Sequence, residues 1–233
     1  MTLKQQFGTW LIPLLPINSW LFRSFRLELN AALVRLANRL HPARLAQKRA
    51  LRRRSDVLVN LGCGPFGADG WLNFDLFAAP GVTMRIDCRY DLPLADGAAR
   101  GIHVEHYLEH LEPDVERRRF LAECRRCLAP GGILRIIVPD VRKYVEAYLA
   151  DGWAALNALG WEGRGAKMEA LNHVLNQAGE HYGGFDAEYL VQTLQRAGFA
   201  DVREVAWREG AFPGGPIDRE EHRRSSLYVE ARR

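Results

Sequence analysis

The sequence has few cysteines, no comfortable transmembrane run, no internal repeat and, over its first 54 residues, almost no acid. Four cysteines in 233 residues, Cys63, Cys88, Cys124 and Cys127, make no extracellular disulfide framework, so a reduced compartment, the cytoplasm, is expected. Cys124 and Cys127 have the spacing of half a zinc site but lack a second pair, which leaves them to core packing. The stretch from Gln5 to Phe22 is free of charge, yet Pro13 and Pro16 interrupt it and Thr9, Asn18 and Ser19 dilute it. It reads as neither a membrane span nor a signal peptide, since Lys4 alone precedes it and no small-residue cleavage site follows.

The shortage of acid is local. Residues 1 to 54 carry eleven basic side chains against Glu28 alone, a net +10 within a chain whose total is +4. A basic arm on a mildly acidic body implies an anionic partner, or simply a solvated helix face. From Ser19 to Leu40, Leu21, Phe22, Phe25, Leu29, Leu33, Leu36 and Leu40 recur every three or four residues among arginines, the pattern of an amphipathic helix. Such a helix can lie at the inner face of an anionic membrane as a peripheral contact, or pack on its own domain or on a second subunit. Nucleic acid is not expected, because no aromatic-bearing basic fold accompanies the charge. Oligomeric state stays open.

Beyond the arm, short apolar runs alternate with helical patterns. Val57 to Leu61, Trp71 to Asp75, Val82 to Asp87, Ile102 to Glu105, Ile133 to Val138, Val202 to Val205 and Leu227 to Ala231 read as strands, and Pro113 to Leu128 as a helix. This order implies an α/β fold, a Rossmann-like, mostly parallel sheet with helices on both faces. In such sheets ligands bind beyond the carboxyl ends of the strands. The residues standing there are Gly62-Cys63-Gly64, Asp75, Asp87 and Glu105-His106.

Gly62 and Gly64 remove side chains where a backbone turns sharply toward a ligand. Gly62 to Gly67 also matches G-x-G-x-x-G, but a dinucleotide site would place its ribose-binding acid about 20 residues further on. Asp75 comes much too early for that, and Pro65 removes an amide from the turn that would cradle a pyrophosphate.

Val57 to Gly64 resembles the first motif of class I S-adenosylmethionine-dependent methyltransferases, V-L-D-L-G-C-G. The segments Asp91-Leu92-Pro93-Leu94-Ala95-Asp96-Gly97, His106-Tyr107-Leu108-Glu109-His110-Leu111 and Leu128-Ala129-Pro130-Gly131-Gly132 are similar to the L-P-F-x-D, L-E-H and L-x-P-G-G series of the small-molecule, type 11-like branch. The resemblance covers Val57 to Asp140 well. It implies a seven-stranded domain over 55–233, the arm over 1–54, and an acceptor or lid insertion over 141–184. It further implies S-adenosylmethionine as cofactor. Asn60, Gly62, Cys63 and Gly64 would then lie near its methionine part, Asp75 with Leu76 at the ribose, Asp87 with Cys88 at the adenine, and Glu105 near the sulfonium.

Three positions depart from that pattern. Asn60 replaces the usual Asp, and Arg100 stands where an Asp usually precedes the fourth strand. Only Gly62 to Gly70 separate the first two strands, whereas a parallel crossover normally takes a dozen residues or more. The first helix should therefore shrink to about a turn, leaving the cofactor to be covered by something else, for which the arm is the candidate.

Methyl transfer to a hydroxyl requires alignment and removal of a proton. His106, first among the candidates, His110, Asp140 and His181 are the groups suited to it. Trp153, Trp161, Tyr144, Tyr148, Tyr182, His173 and His181 in the insertion suit a ring-bearing acceptor or a helical lid core equally. Asp140, His173 and His181 match no dedicated metal motif, and no metal is expected. The expected activity is O-methylation of a small-molecule or carrier-linked acceptor, a saccharide or lipid-linked saccharide being favoured. The alternatives are a non-catalytic, membrane-associated binding module and an RNA methyltransferase. The latter lacks an Asn-Pro-Pro-Tyr-like motif after the fourth strand.

Overall fold

The computed structural model describes residues 18–162 and 165–233. The part of the charge-free stretch that precedes residue 18 lies outside the described residues. Among them, seven strands form one sheet in the order β3-β2-β1-β4-β5-β7-β6. These are β1 (Val57–Leu61), β2 (Leu72–Asp75), β3 (Met84–Arg85), β4 (Ala99–Glu105), β5 (Leu128–Pro139), β6 (Ala200–Val205) and β7 (Ser226–Arg232). β7 runs antiparallel between β5 and β6, while the other pairings are parallel.

β1 is apolar but for Asn60 and buried along its whole length, as expected of a central strand covered on both faces. Val59, Leu61, Phe74, Ile102, Val104, Leu134 and Ile136 are closed to solvent and form the core with the helices. Each such side chain contributes about 1.5–3 kcal/mol of burial. Helix α3 (Glu116–Cys127) turns Phe120, Leu121, Cys124 and Cys127 inward and leaves most of its arginines outward. Both cysteines are buried free thiols, and burial raises them away from ionisation.

The arm supplies two helices, α1 (Ser19–Leu40) and α2 (Pro42–Arg52). Asn18 caps α1 by accepting from Trp20 N at 2.9 Å, and Pro42 opens α2 at the position where a missing N–H costs nothing. Only Ala31 and Val34 of α1 are buried among its described side chains, whereas Leu21, Phe25, Leu29, Leu33, Leu36 and Leu40 are exposed. No helix among the described residues is long and apolar enough to cross a membrane.

The insertion contains α4 (Val141–Leu149), α5 (Ala154–Ala158) and α6 (Met168–Asn176), followed by α7 (Ala187–Arg196) and the last two strands. Tyr144, Trp153 and Trp161 pack on Ala147, Leu156 and Ala170 in a small separate core. These three aromatics therefore pack within the helices of the insertion, while Tyr182 is exposed. His173 packs on Trp161, with ring centroids 5.3 Å apart.

No helix joins β1 to β2. The connection is a string of turns fixed by two asparagines: Asn60 Nδ2 donates to Phe66 O at 3.1 Å, and Asn73 exchanges hydrogen bonds with Ala68 N and O, both at 2.9 Å. The expected single turn of helix is thus replaced by side-chain anchoring. An aspartate at position 60 would have no side-chain N–H to give to Phe66 O.

Candidate functional site

The carboxyl ends of β1 to β4 meet at one edge of the sheet, and each contributes a turn or an acid. Gly62 and Gly64 both take positive φ, +66° and +52°. A Cβ on Gly62 would come within 2.5 Å of the Tyr107 ring, so the loop can pass beneath that ring only as glycine. Gly62 N and Cys63 N both donate to Phe74 O, tying the loop to β2. Burial holds the Cys63 thiol neutral by pushing its pKa up to about 11, and it raises Cys88 in the same direction.

Asp75 ends β2 and is nearly buried. Its Oδ2 accepts from Gly64 N at 2.8 Å and its Oδ1 from Phe77 N at 2.7 Å. Among the described residues no Lys or Arg pairs with it. Each oxygen therefore keeps accepting capacity for a ligand hydroxyl, held at a fixed angle by two backbone amides. Leu76 follows it, and its carbonyl accepts from Arg85 Nε at 3.0 Å.

Asp87, just past β3, is placed differently. Arg89 Nε reaches its Oδ1 and Arg89 NH2 its Oδ2, each at 2.9 Å, and Arg35 from α1 also donates to Oδ2. Arg89 further pairs with Glu28 of α1 and Glu116 of α3. The Asp87 carboxylate thus anchors the arm, and the free acceptor expected there for an adenine edge is not observed. Asn38 Nδ2 to Arg85 O at 2.9 Å, Gln47 Nε2 to Thr83 O at 2.7 Å and Arg85 NH2 to Asn30 Oδ1 at 3.0 Å fasten the same edge. At its other end α1 meets the turn before His181 through Trp20 Nε1 to Gly179 O at 2.9 Å and Arg23 NH2 to Ala178 O at 3.0 Å. The arm therefore runs from the end of β3 to the insertion.

Glu105, ending β4, is also paired. His222 Nδ1 lies 2.9 Å from Oε1, Arg219 Nε 3.3 Å from Oε2, and Arg219 N donates to Oε1 at 3.2 Å. Burial alone would raise this carboxyl, but His222, His103 and Arg219 outweigh it and hold the group below its ordinary range. Arg219 also lies over the Phe66 ring at 4.5 Å, linking the glycine connection to β4. The loop carrying Arg219 and His222 is held by a buried network. Arg135 Nε donates to Asp218 Oδ1 at 2.8 Å and Arg135 NH1 to Glu230 Oε1 at 2.9 Å, all three groups being closed to solvent.

The first-choice base is poorly suited to accept a proton. His106 has left-handed backbone, φ +51°, stacks on His222 with centroids 3.6 Å apart, and places Nε2 2.8 Å from Ser226 Oγ. Burial first, then the charges of His222 and Arg219, push its pKa down to about 2. It is a neutral, weakly basic ring whose Nδ1 lies 3.6 Å from Glu109 Oε1. Asp140 is the N-cap of α4, accepting from Arg142 N at 3.1 Å with Lys143 3.6 Å away, and this structural role replaces the catalytic one expected. His110 and His181 do come together, their centroids 4.8 Å apart, and burial lowers the pKa of each. Glu109 beside them is buried, and desolvation pushes its pKa up to about 8.

Tyr107, Glu109, Arg219, His222 and Ser226 belong to this edge and were not singled out from sequence. Only Tyr107 and Glu109 had a signal, since both lie within the stretch that resembles the L-E-H motif. A groove of about 600 Å³ beside Val141, Leu175, Phe185 and Tyr189 includes none of the strand-end acids or histidines.

A family model described as a methyltransferase domain matches residues 75–136. That match spans Asp75 to the middle of β5, in a sheet whose order and antiparallel β7 are those in which the glycine loop and Asp75 come together. The matched segment, about a quarter of the chain, includes the strand ends that carry Asp75, Asp87 and Glu105. Among solved structures, this chain is similar to a SAM-dependent methyltransferase from Archaeoglobus fulgidus, at 16% identity over 82% of this chain and 92% of that one, with a TM-score of 0.48. It is similar also to the 1,6-didemethyltoxoflavin-N1-methyltransferase of Burkholderia thailandensis, at 17% identity over 94% and 92% of the two chains, with a TM-score of 0.47. A third likeness is to an S-adenosylmethionine-dependent methyltransferase from Mesorhizobium loti, 22% identical over 82% and 97%, with a TM-score of 0.45. No curated protein matches the sequence. The cofactor that the resemblance implies is S-adenosylmethionine. The residues present fit it: a neutral glycine loop without a phosphate cradle and, at Asp75, a carboxylate with accepting capacity and no cation partner among the described residues.

Proposed function

We propose that this methyltransferase transfers a methyl group to an oxygen of a small or carrier-linked acceptor, a saccharide or lipid-linked saccharide being favoured. When bound, S-adenosylmethionine supplies an electrophilic methyl group with a good leaving group. In this reading Gly62, Cys63 and Gly64 follow its methionine part closely, Asp75 accepts from the ribose hydroxyls, and Leu76 and Cys88 line the adenosine. Tyr107 closes over the loop, while Asp87 holds the arm as a cover through Arg35 and Arg89. Glu105, paired with Arg219 and hydrogen-bonded to His222, fixes the end of β4 beside the reacting centre.

The observation that supports an oxygen acceptor is the gathering of His106, Glu109, His110, His181 and His222 just past β4. A hydroxyl, unlike a neutral amine, gains most from losing its proton as it attacks, and this cluster offers imidazoles and a buried carboxyl that can orient and relieve it. His106 serves here as support for His222, and the acceptor hydroxyl is oriented toward the Glu109, His110 and His181 end of the cluster.

The exposed apolar stripe on α1, set among the exposed Arg26 and Arg39, supports contact with an anionic membrane as the place where a carrier-linked acceptor is met. Turnover of labelled S-adenosylmethionine against lipid extracts and nucleotide sugars tests both points. Label in an alkali-stable ether is expected, with sedimentation on anionic vesicles that Phe25→Glu abolishes. Cofactor binding without transfer to any acceptor would favour the non-catalytic module instead.

A further inference from the structure

We propose that Glu109, His110 and His181 form a binding site for one divalent first-row transition ion. The three donor atoms lie within 4.8 Å of one another. With bonds of about 2.1 Å, a tetrahedral ion sets its ligands about 3.4 Å apart, so small side-chain rotations close the triad.

Two observations separate this cluster from ordinary polar packing. Glu109 is 1% exposed, and neither of its carboxylate oxygens has a hydrogen-bond partner among the described residues. A buried carboxyl that makes no hydrogen bond is costly and calls for a ligand. The two imidazoles are, in turn, oriented as metal ligands are. His110 Nδ1 lies 3.1 Å from Glu180 O and His181 Nδ1 2.8 Å from Val174 O, so each ring gives its Nδ1–H to a backbone carbonyl. That fixes the tautomer, leaving the Nε2 lone pair of each ring unengaged by any described residue.

The backbone holds the two ligand-bearing segments together. Glu109 and His110 sit on the single turn Leu108–His110, and Tyr182 N donates to Glu109 O at 2.9 Å, joining that turn to the residue after His181. Two imidazoles and one carboxylate suit zinc or iron(II) rather than magnesium or calcium, and three protein ligands leave positions open to water or an acceptor oxygen. A part for the ion in methyl transfer rests on the oxygen-acceptor reading above; the binding site itself does not. The sequence alone suggested no metal here, because Glu109 and His110 are about 70 residues from His181 and follow no ligand spacing.

The test is titration of the full chain, stripped with a chelator, by cobalt(II) and then zinc(II). One cobalt per chain is expected, with visible d–d absorption that zinc abolishes. Glu109→Gln, His110→Ala and His181→Ala should each weaken binding by about a hundredfold or more, while His41→Ala, an exposed histidine of the arm, leaves it unchanged. Should the variants fail to fold, imidazole ¹⁵N resonances of the unaltered protein give the answer: zinc should shift those of His110 and His181 most. No stoichiometric binding, or binding that persists in all three variants, or zinc shifts confined to other histidines, would overturn the proposal.

Discussion

The two ends of the strand edge are built in opposite ways. At β1 and β2 the site is made of backbone: glycines with positive φ and an aspartate held by two amides and by no cation among the described residues. Past β4 it is made of side chains brought from distant segments, where an acid is matched by Arg219 and His222, one pair of histidines stacks and another meets edge to face. A cofactor of fixed shape can be read by a rigid loop. An acceptor and its proton need titratable groups, and those must be carried in by the insertion and the last loop.

The contrast is broken most severely through the buried network that carries the side-chain half. Asp218→Ala leaves Arg135 charged and closed to solvent, and should cost about 3–5 kcal/mol of stability, read as a lower denaturation midpoint. Burial alone would raise the Asp218 carboxyl, but His103 and Arg135 outweigh it and depress its pKa. The unfolded chain therefore binds this proton more readily than the folded one. The stabilisation is fully present above about pH 4 and is lost as pH falls through the lower folded value. Acid melts should show this loss in the parent protein and not in Asp218→Asn.

A substitution at the backbone half should act more gently on stability and more strongly on the cofactor. Gly62→Ala meets the Tyr107 ring and a positive φ, and should cost about 1–3 kcal/mol. Calorimetry should show weaker S-adenosylhomocysteine binding for it, and Tyr107→Ala in the same chain should restore part of that loss. The smallest effect is expected at the junction of the halves. Arg35→Ala should loosen the arm at a cost of about 1 kcal/mol or less, because Arg89 still holds Asp87. Amide exchange over α1 should rise while the sheet is unchanged.

The same division explains what was legible in the sequence. The seven strands, the helix after His110 and the amphipathic Ser19–Leu40 could be read because apolar periodicity and the glycine loop are local signals. Asp75 could be placed for the same reason, standing eleven residues past Gly64. The partners of Asp87 and Glu105 could not, since Arg35, Arg219 and His222 are bound to them only by the fold. His106 looked like a base because the sequence does not show His222 and Arg219 beside it. Asn60 looked like a loss of charge until its amide was seen holding the connection that lacks a helix.

The measurement closest to the central claim is S-adenosylhomocysteine binding by the parent chain, Asp75→Ala and Asp87→Ala, compared by calorimetry. One cofactor per chain is predicted for the parent, with a loss of about a hundredfold for Asp75→Ala and a smaller loss for Asp87→Ala, whose carboxylate serves the arm. No binding by the parent, or equal binding by parent and Asp75→Ala, would contradict the account.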